Sequence, residues 1–155
     1  MNYQLLLWIH ILSATLLFGT GLGTAFHGWM AQLSGDLRVI VMVSRNVVLA
    51  DWLFTAPAVV VQPITGAWMA RLAGIPFTTG WLAWSIGLYV LVGACWLPVV
   101  WLQIEMHRMA DTALRTGQPI SALYRTYARW WFALGWPAFL GVIAIFYLMV
   151  FKPDL

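Results

Sequence analysis

Four stretches of this chain are apolar enough and long enough to cross a membrane, and this pattern restricts the fold to a bundle of helices. They run from Tyr3 to Met30, Val47 to Ala70, Trp81 to Gln103 and Trp130 to Phe151. Each exceeds the roughly 20 residues that an α-helix needs to cross a hydrocarbon core of about 30 Å. The connections are short, so we expect an all-α, integral membrane, antiparallel four-helix bundle formed by residues 1–155 as one domain.

The composition indicates that lipid is the main solvent of this surface. Charged residues make up 8% of the chain, against about 25% in an average soluble domain. The net charge of +3 comes from basic residues in helix connections, so no nucleic-acid partner is expected. Cys95 is the only cysteine and lies inside a span, where an inert buried thiol is the favoured interpretation. The first apolar run is too long for a cleavable signal peptide, so it is expected to stay in the mature protein.

The arginines predict how the chain is oriented. The first and third connections contain Arg38, Arg45, Arg108, Arg115, Arg125 and Arg129. The opposite side has only Arg71 and Lys152. Because positively charged connections stay in the cytoplasm, both termini are expected outside it.

The tryptophans predict the same boundaries, since their rings favour membrane interfaces. The expected outer belt contains Trp8, Trp68, Trp81 and Trp84. The expected inner belt contains Trp29, Trp101, Trp130 and Trp131.

Turn residues predict where the helices begin and end. Asp36, in the first connection, is expected to cap a helix that begins near Leu37. Pro57 and Pro63 are expected to bend the second span. The third helix should overshoot the membrane and continue to Arg115, before the sequence 117–119 (Gly-Gln-Pro) ends it.

His10 is an ionisable residue inside the first span, and such a residue is costly enough to be a candidate for function. It lies roughly 9 Å from the nearer end of the helix, at the usual rise per residue. A stripe of small and polar residues from Ser13 to Gly28 continues its helix face toward the bundle interior. The position is compatible with an axial haem ligand. It is also compatible with a histidine that only forms a hydrogen bond to a neighbouring helix.

Gln62 and Tyr89 are predicted to lie at the depth of His10, on the second and third spans. Such a polar layer could bind a quinone head group, fix the tautomer of His10 or relay a proton. It could equally hold the helices together.

A second group of polar residues lies near the other membrane face. Asp51, inside the second span, needs a partner. Arg45 lies about 120° away round the helix, so a partner on another helix is favoured. His27 and His107, at one depth on the first and third helices, could ligate one haem or metal from opposite sides. His107 also fits an ordinary solvated histidine in the basic overhang.

Gly19, Gly21 and Gly23 lie inside an apolar helix and not after a strand, so they do not form a phosphate-binding loop. They favour close helix packing instead. Glycine-rich faces on so small a chain also predict a homodimer.

The segments 6–21, 45–54, 62–66 and 94–103 closely resemble the bacterial domain-of-unknown-function 2269 family, and the match covers nearly the whole chain. That family is described as predicted inner-membrane proteins. The chain is distantly similar to a wider group of four-helix proteins, which includes the HemJ-type protoporphyrinogen oxidase and the membrane part of CopD-type copper-resistance proteins. In the HemJ type a first-span histidine is taken as a haem ligand, and His10 sits at the matching place. A third-span lysine accompanies it there, and span 81–103 has none. This departure argues against the oxidase activity and leaves haem binding open.

The favoured function is a bacterial inner-membrane protein that binds haem b and passes electrons, with quinone or porphyrin as candidate partners. His10 is the first expected ligand, and Gln62 and Tyr89 are expected to contact either this ligand or the substrate. Asp51 with Arg45 is expected to tune a haem propionate or a proton path. The alternative is a non-catalytic membrane module, either a small transporter or an accessory subunit, whose polar residues hold the helices together.

Overall fold

The computed structural model describes residues 2–154 and places the four predicted spans in four long helices. These are α1 (Tyr3–Ser34), α2 (Leu37–Leu72), α3 (Gly80–Thr116) and α4 (Ala122–Phe151). Each is long and apolar enough to cross a membrane. The prediction of an all-α, four-span integral membrane fold is confirmed.

The helix ends follow the turn residues. Gly35 and Gly117 adopt the left-handed backbone, each with φ of 65°, directly after α1 and α3. Glycine reaches this conformation without a steric penalty, so both helices end there. Asp36 caps α2 as predicted, because its Oδ1 accepts a hydrogen bond from the Arg38 N–H at 2.8 Å. The long α3 runs past the apolar span, which confirms the predicted overhang.

The four helices form two hairpins, α1–α2 and α3–α4, joined mainly where the first half of α2 packs on α3. We call the end with the α1–α2 and α3–α4 connections the overhang end, and the opposite end the termini end. A Cβ at Gly141 would lie 2.6 Å from Val92 Cγ2, so any side chain there would force Val92 to shift where α4 meets α3. The main buried cluster lies toward the overhang end and contains Ile40, Val99, Leu102, Met106, Ala110, Tyr124 and Trp131.

Helix α2 contains a π-helical turn from Asp51 to Thr55, in which the Ala56 N–H donates to the Asp51 carbonyl. The sequence predicted a bend of the second span at Pro57 and Pro63, and the π turn ends two residues before Pro57. A proline ring clashes with the carbonyl four residues earlier, here that of Leu53, inside the π turn. The wider turn accommodates this clash and carries Asp51 and Thr55, both buried. Single π turns inside α-helices are frequent at functional sites.

The prediction that Gly19, Gly21 and Gly23 pack closely against another helix is wrong within this chain. A Cβ added at any of the three meets no atom of residues 2–154 within 4 Å. Gly28 on the same helix does face a neighbour, since its added Cβ would lie 3.5 Å from Trp131 Cη2. Small residues bring helices together only where a second helix faces them. Dimerisation through the open face stays a prediction.

Candidate functional site

At the termini end, His10 of α1 is held by two side chains of α2, and we call these three residues the His10 cluster. Its Nδ1 lies 2.8 Å from Thr65 Oγ1, and its Nε2 lies 3.1 Å from Gln62 Nε2. Gln62 and Thr65 are three residues apart, so both face α1 from the same side of α2. The predicted depth of Gln62 is therefore right, whereas Thr65 was not singled out from the sequence.

The hydrogen bonds of Thr65 favour one tautomer of the imidazole. Thr65 Oγ1 lies 2.8 Å from the Val61 carbonyl oxygen, an acceptor that takes the hydroxyl proton. Toward His10 the hydroxyl oxygen then accepts, so Nδ1 carries the ring proton. Nε2 keeps a free lone pair and accepts a hydrogen bond from the Gln62 amide. This tautomer is assigned from the hydrogen-bond network. In it the lone pair of Nε2, which can bind a metal, faces Gln62.

Two further contacts position the His10 ring against α2. A Cβ at Gly66 would lie 3.2 Å from His10 Cε1, so this glycine makes room for the imidazole on the surface of α2. One turn further along α1, the buried Ser13 donates to the Ala58 carbonyl at 3.0 Å. The sequence placed Ser13 on the interior stripe with His10, and the structure confirms it.

One atom of the cluster has no partner. Gln62 Oε1 is buried, and no donor among residues 2–154 reaches it. A buried carbonyl oxygen without a donor typically costs about 1–3 kcal/mol. The cluster therefore presents an acceptor beside His10 that a ligand with a hydroxyl or N–H group would satisfy.

Tyr89 forms no hydrogen bond with His10. Its hydroxyl donates to the Val59 carbonyl at 2.5 Å. Pro63, four residues after Val59, has no N–H, so this carbonyl lacks its usual helical donor. Tyr89 of α3 supplies that donor. This hydrogen bond between helices explains the position of Tyr89 without a ligand.

The second polar group, which we call the Asp51 network, joins three helices. The buried Asp51 accepts through Oδ1 from the Thr55 hydroxyl at 2.9 Å. Its Oδ2 accepts from the amide nitrogen of Gln103 on α3 at 2.7 Å. The Gln103 oxygen in turn accepts from the indole Nε1–H of Trp131 on α4 at 3.2 Å.

Trp131 fixes the direction of this chain of hydrogen bonds. An indole N–H can only donate, so the Gln103 oxygen must face it and the Gln103 nitrogen must face Asp51. Trp131 is 8% exposed, which corrects its predicted place in the inner tryptophan belt. The sequence did not indicate Gln103 as the partner of Asp51, although it favoured a partner on another helix.

The structure does not bring Arg45 to Asp51. Arg45 is exposed, and the ion pairs found among residues 2–154 join Arg108 with Glu105 and Arg115 with Asp111 on the overhang. Asp51 consequently receives two neutral donors and no cation.

The structure also does not bring His27 and His107 together. His107 Nδ1 lies 2.9 Å from Ser44 Oγ, between α3 and α2. His27 is exposed in an open groove of about 350 Å³ that it shares with Asn46. Ser44 and Asn46 lie about 200° apart round α2, so the two histidines adjoin opposite faces of that helix. Within residues 2–154 no three His, Cys, Asp or Glu side chains are grouped to hold a metal ion.

The fold and the two clusters define an integral membrane protein whose interior polar groups lie at two depths. The chain belongs to the family described as predicted integral membrane protein (DUF2269), whose pattern matches residues 4–153. No curated protein and no solved structure matches it.

Proposed function

We propose that this protein is a redox protein of the bacterial inner membrane that holds haem b through Nε2 of His10. The observation that carries the proposal is the contact between His10 Nδ1 and Thr65 Oγ1. Histidines that bind metals donate their other ring N–H to a fixed acceptor, which sets the tautomer and the ring orientation. Thr65 provides this arrangement inside a membrane span.

Two further features around His10 would suit a histidine that binds haem. Gly66 has no side chain, so the His10 ring packs directly against α2 at this residue. On the other side the Gln62 amide contacts Nε2, and it is a side chain that can turn away. When bound, haem b carries single electrons between the ferric and ferrous states of its iron. The protein's part is to orient the imidazole, keep it neutral and exclude water.

A quinol is the electron partner that the cluster supports. Its hydroxyl would donate to Gln62 Oε1, the buried acceptor that lacks a donor. A porphyrin partner, the other candidate, gains no comparable support from a contact of these residues.

The proposal is tested by absorbance spectra and a pyridine haemochrome assay on protein produced with a supply of haem. The parent should show a Soret band, and His10→Ala should lose most of the haem. The matched control is His107→Ala, because His107 also contacts a hydroxyl group, that of Ser44, but at the overhang end. A parent that purifies without haem despite the supply contradicts the proposal, as does equal loss in both variants.

The second candidate is a non-catalytic membrane module, either a small transporter or an accessory subunit. The specific observation in its favour is that Ser13, Tyr89 and the Asp51 network all bond across helices. If the parent is colourless, these contacts act as interhelical hydrogen bonds alone.

We also propose that the overhang end faces the cytoplasm and that both termini lie outside it. The support is the arginine asymmetry between the two sides. In a Cys95→Ala background, cysteines placed at Thr78 and at Thr116 should react with an impermeant thiol reagent from opposite sides. In intact cells the reagent should reach Thr78→Cys only, and labelling of Thr116→Cys would reverse the orientation.

A further inference from the structure

Asp51 is a carboxyl group buried in the bundle, and no counter-ion among residues 2–154 pairs with it. The proposed haem site does not use this group. Asp51 is 5% exposed. Both its oxygens accept hydrogen bonds from neutral donors, Thr55 and Gln103. Two neutral donors favour an ionised carboxylate, whereas burial in a medium of low polarity favours the protonated acid. The surroundings thus act on the carboxyl group in two opposite directions.

A small cavity adjoins this network on the overhang side. Its volume is about 30 Å³, which gives room for about one water molecule. The polar residues that line it are Gln32, Ser44, Gln103 and Tyr124. Ser44 also contacts His107, whose helix continues into the overhang. Polar groups therefore line the space between the overhang end and the Gln103 side of the Asp51 network.

The charged and titratable groups on the surrounding helices leave Asp51 without an ionic partner. On α1 the nearest is His27, which faces the open groove beside Ala50. On α2 it is the exposed Arg45. On α3 they are His107, bonded to Ser44, and Glu105, paired with Arg108. On α4 the buried Tyr124 lines the cavity, whereas Arg129 is exposed.

We propose that Asp51 is a reversible proton-binding site and that Trp131 sets its proton affinity through the orientation of Gln103. Protonation forms one O–H bond on the carboxylate, and the proton comes from a hydronium ion of the solvent, which is left as neutral water. The Thr55 hydroxyl can rotate and accept from the resulting acid. Gln103 cannot reverse its amide while Trp131 donates to its oxygen, so Trp131 holds the network in the form that stabilises the anion. Trp131 is a positioning residue and does not touch the carboxyl group.

The test is carbon NMR of protein labelled at its aspartate carboxyl carbons and titrated with acid and base. The chain has four aspartates, namely Asp36, Asp51, Asp111 and Asp154, so the spectrum is simple. Asp51→Asn identifies the Asp51 signal by removing it. This signal should change reversibly with pH, in a transition separate from the three others.

Trp131→Phe should raise the titration midpoint of Asp51 by about one pH unit, a tenfold gain in proton affinity. The released Gln103 can then turn its oxygen toward the protonated acid. The matched control is Trp130→Phe, since Trp130 is the neighbouring indole and is 59% exposed. It should leave the midpoint unchanged.

Thr55→Val removes the other donor and should shift the midpoint in the same direction, which provides a second test if Trp131→Phe does not fold. An Asp51 signal that stays in one state over the whole pH range in which the protein is folded overturns the proposal. Equal midpoints in the parent and in folded Trp131→Phe also overturn it, as do equal midpoints in the parent and Thr55→Val where Trp131→Phe does not fold. Neither result depends on whether His10 binds haem.

Discussion

The His10 cluster and the Asp51 network both lie on α2, about 16 Å apart along the helix, yet they are built differently. The His10 cluster is confined to the α1–α2 hairpin and leaves Gln62 Oε1 without a donor. The Asp51 network ties α2, α3 and α4 together and pairs every polar atom that it buries. Both groups lie inside the bundle, so the unsatisfied Gln62 Oε1 is the feature that sets the His10 cluster apart.

The difference predicts opposite responses to substitution. Changes in the Asp51 network should lower the stability of the bundle and leave any ligand at His10 bound. Changes in the His10 cluster should alter ligand affinity and leave the bundle nearly as stable. The following variants test this contrast.

The largest expected effect is that of Asp51→Leu on stability. The substitution leaves the Thr55 hydroxyl and the Gln103 amide without an acceptor. At about 1–3 kcal/mol for each unpaired buried donor, we expect a loss of about 3 kcal/mol in the free energy of unfolding. Unfolding in mixed micelles of a mild and a denaturing detergent measures it.

Two controls accompany Asp51→Leu. Asp36→Leu removes only an exposed helix cap, worth about 1 kcal/mol. Asp51→Asn keeps an acceptor for Gln103 and should cost less than Asp51→Leu, although it abolishes the proposed proton binding. Equal losses for Asp51→Leu and Asp36→Leu would show that the network does not stabilise the bundle.

Thr65→Val should weaken haem binding without unfolding the protein. The variant removes the acceptor of His10 Nδ1–H, and loss of such an outer contact typically lowers metal affinity about 10–100-fold. Haem titration followed by absorbance measures the change. Thr15→Val is the control, because the Thr15 hydroxyl bonds only to the Ile11 carbonyl on an exposed face. Unchanged affinity in Thr65→Val would remove the main support for His10 as a ligand.

Gly66→Ala should reduce haem affinity by a smaller amount. The added Cβ would lie 3.2 Å from His10 Cε1, so the ring must shift by a few tenths of an ångström. Crowding of this kind costs about 1 kcal/mol, or about fivefold in affinity. Gly87→Ala is the matched control, since its Cβ meets nothing within 4 Å. If Gly66→Ala and Gly87→Ala both bind haem like the parent, the close contact between Gly66 and the His10 ring does not affect haem affinity.

The sequence predicted the helices well because apolar length and turn residues act locally. Gly35, Asp36 and Gly117 end or begin helices through their own backbone and side-chain chemistry. The contact of Gln62 with His10 was predictable because depth in a membrane can be counted from the ends of two spans.

The partners of Asp51 were not predictable, because they depend on how each helix is rotated about its axis. Gln103 and Trp131 lie on two other helices, and nothing local marks either as facing α2. The same limit explains why Arg45 was considered for Asp51 and why Trp131 was expected at an interface. The π turn at Asp51–Thr55 also changes the rotation of α2, which a count of about 100° per residue does not include.

The smallest expected effect is that of Tyr89→Phe, which tests whether Tyr89 belongs to the His10 cluster. The variant removes the donor to the Val59 carbonyl and should cost about 0.6 kcal/mol of stability, the average for such a bond in a membrane bundle. Haem affinity should not change, and Tyr147→Phe, at an exposed residue, is the control. Pro63→Ala restores an N–H four residues after Val59, so Tyr89→Phe should cost less in that background. If Tyr89→Phe instead lowers haem affinity as much as Thr65→Val, the site extends across to α3 and is not confined to the α1–α2 hairpin.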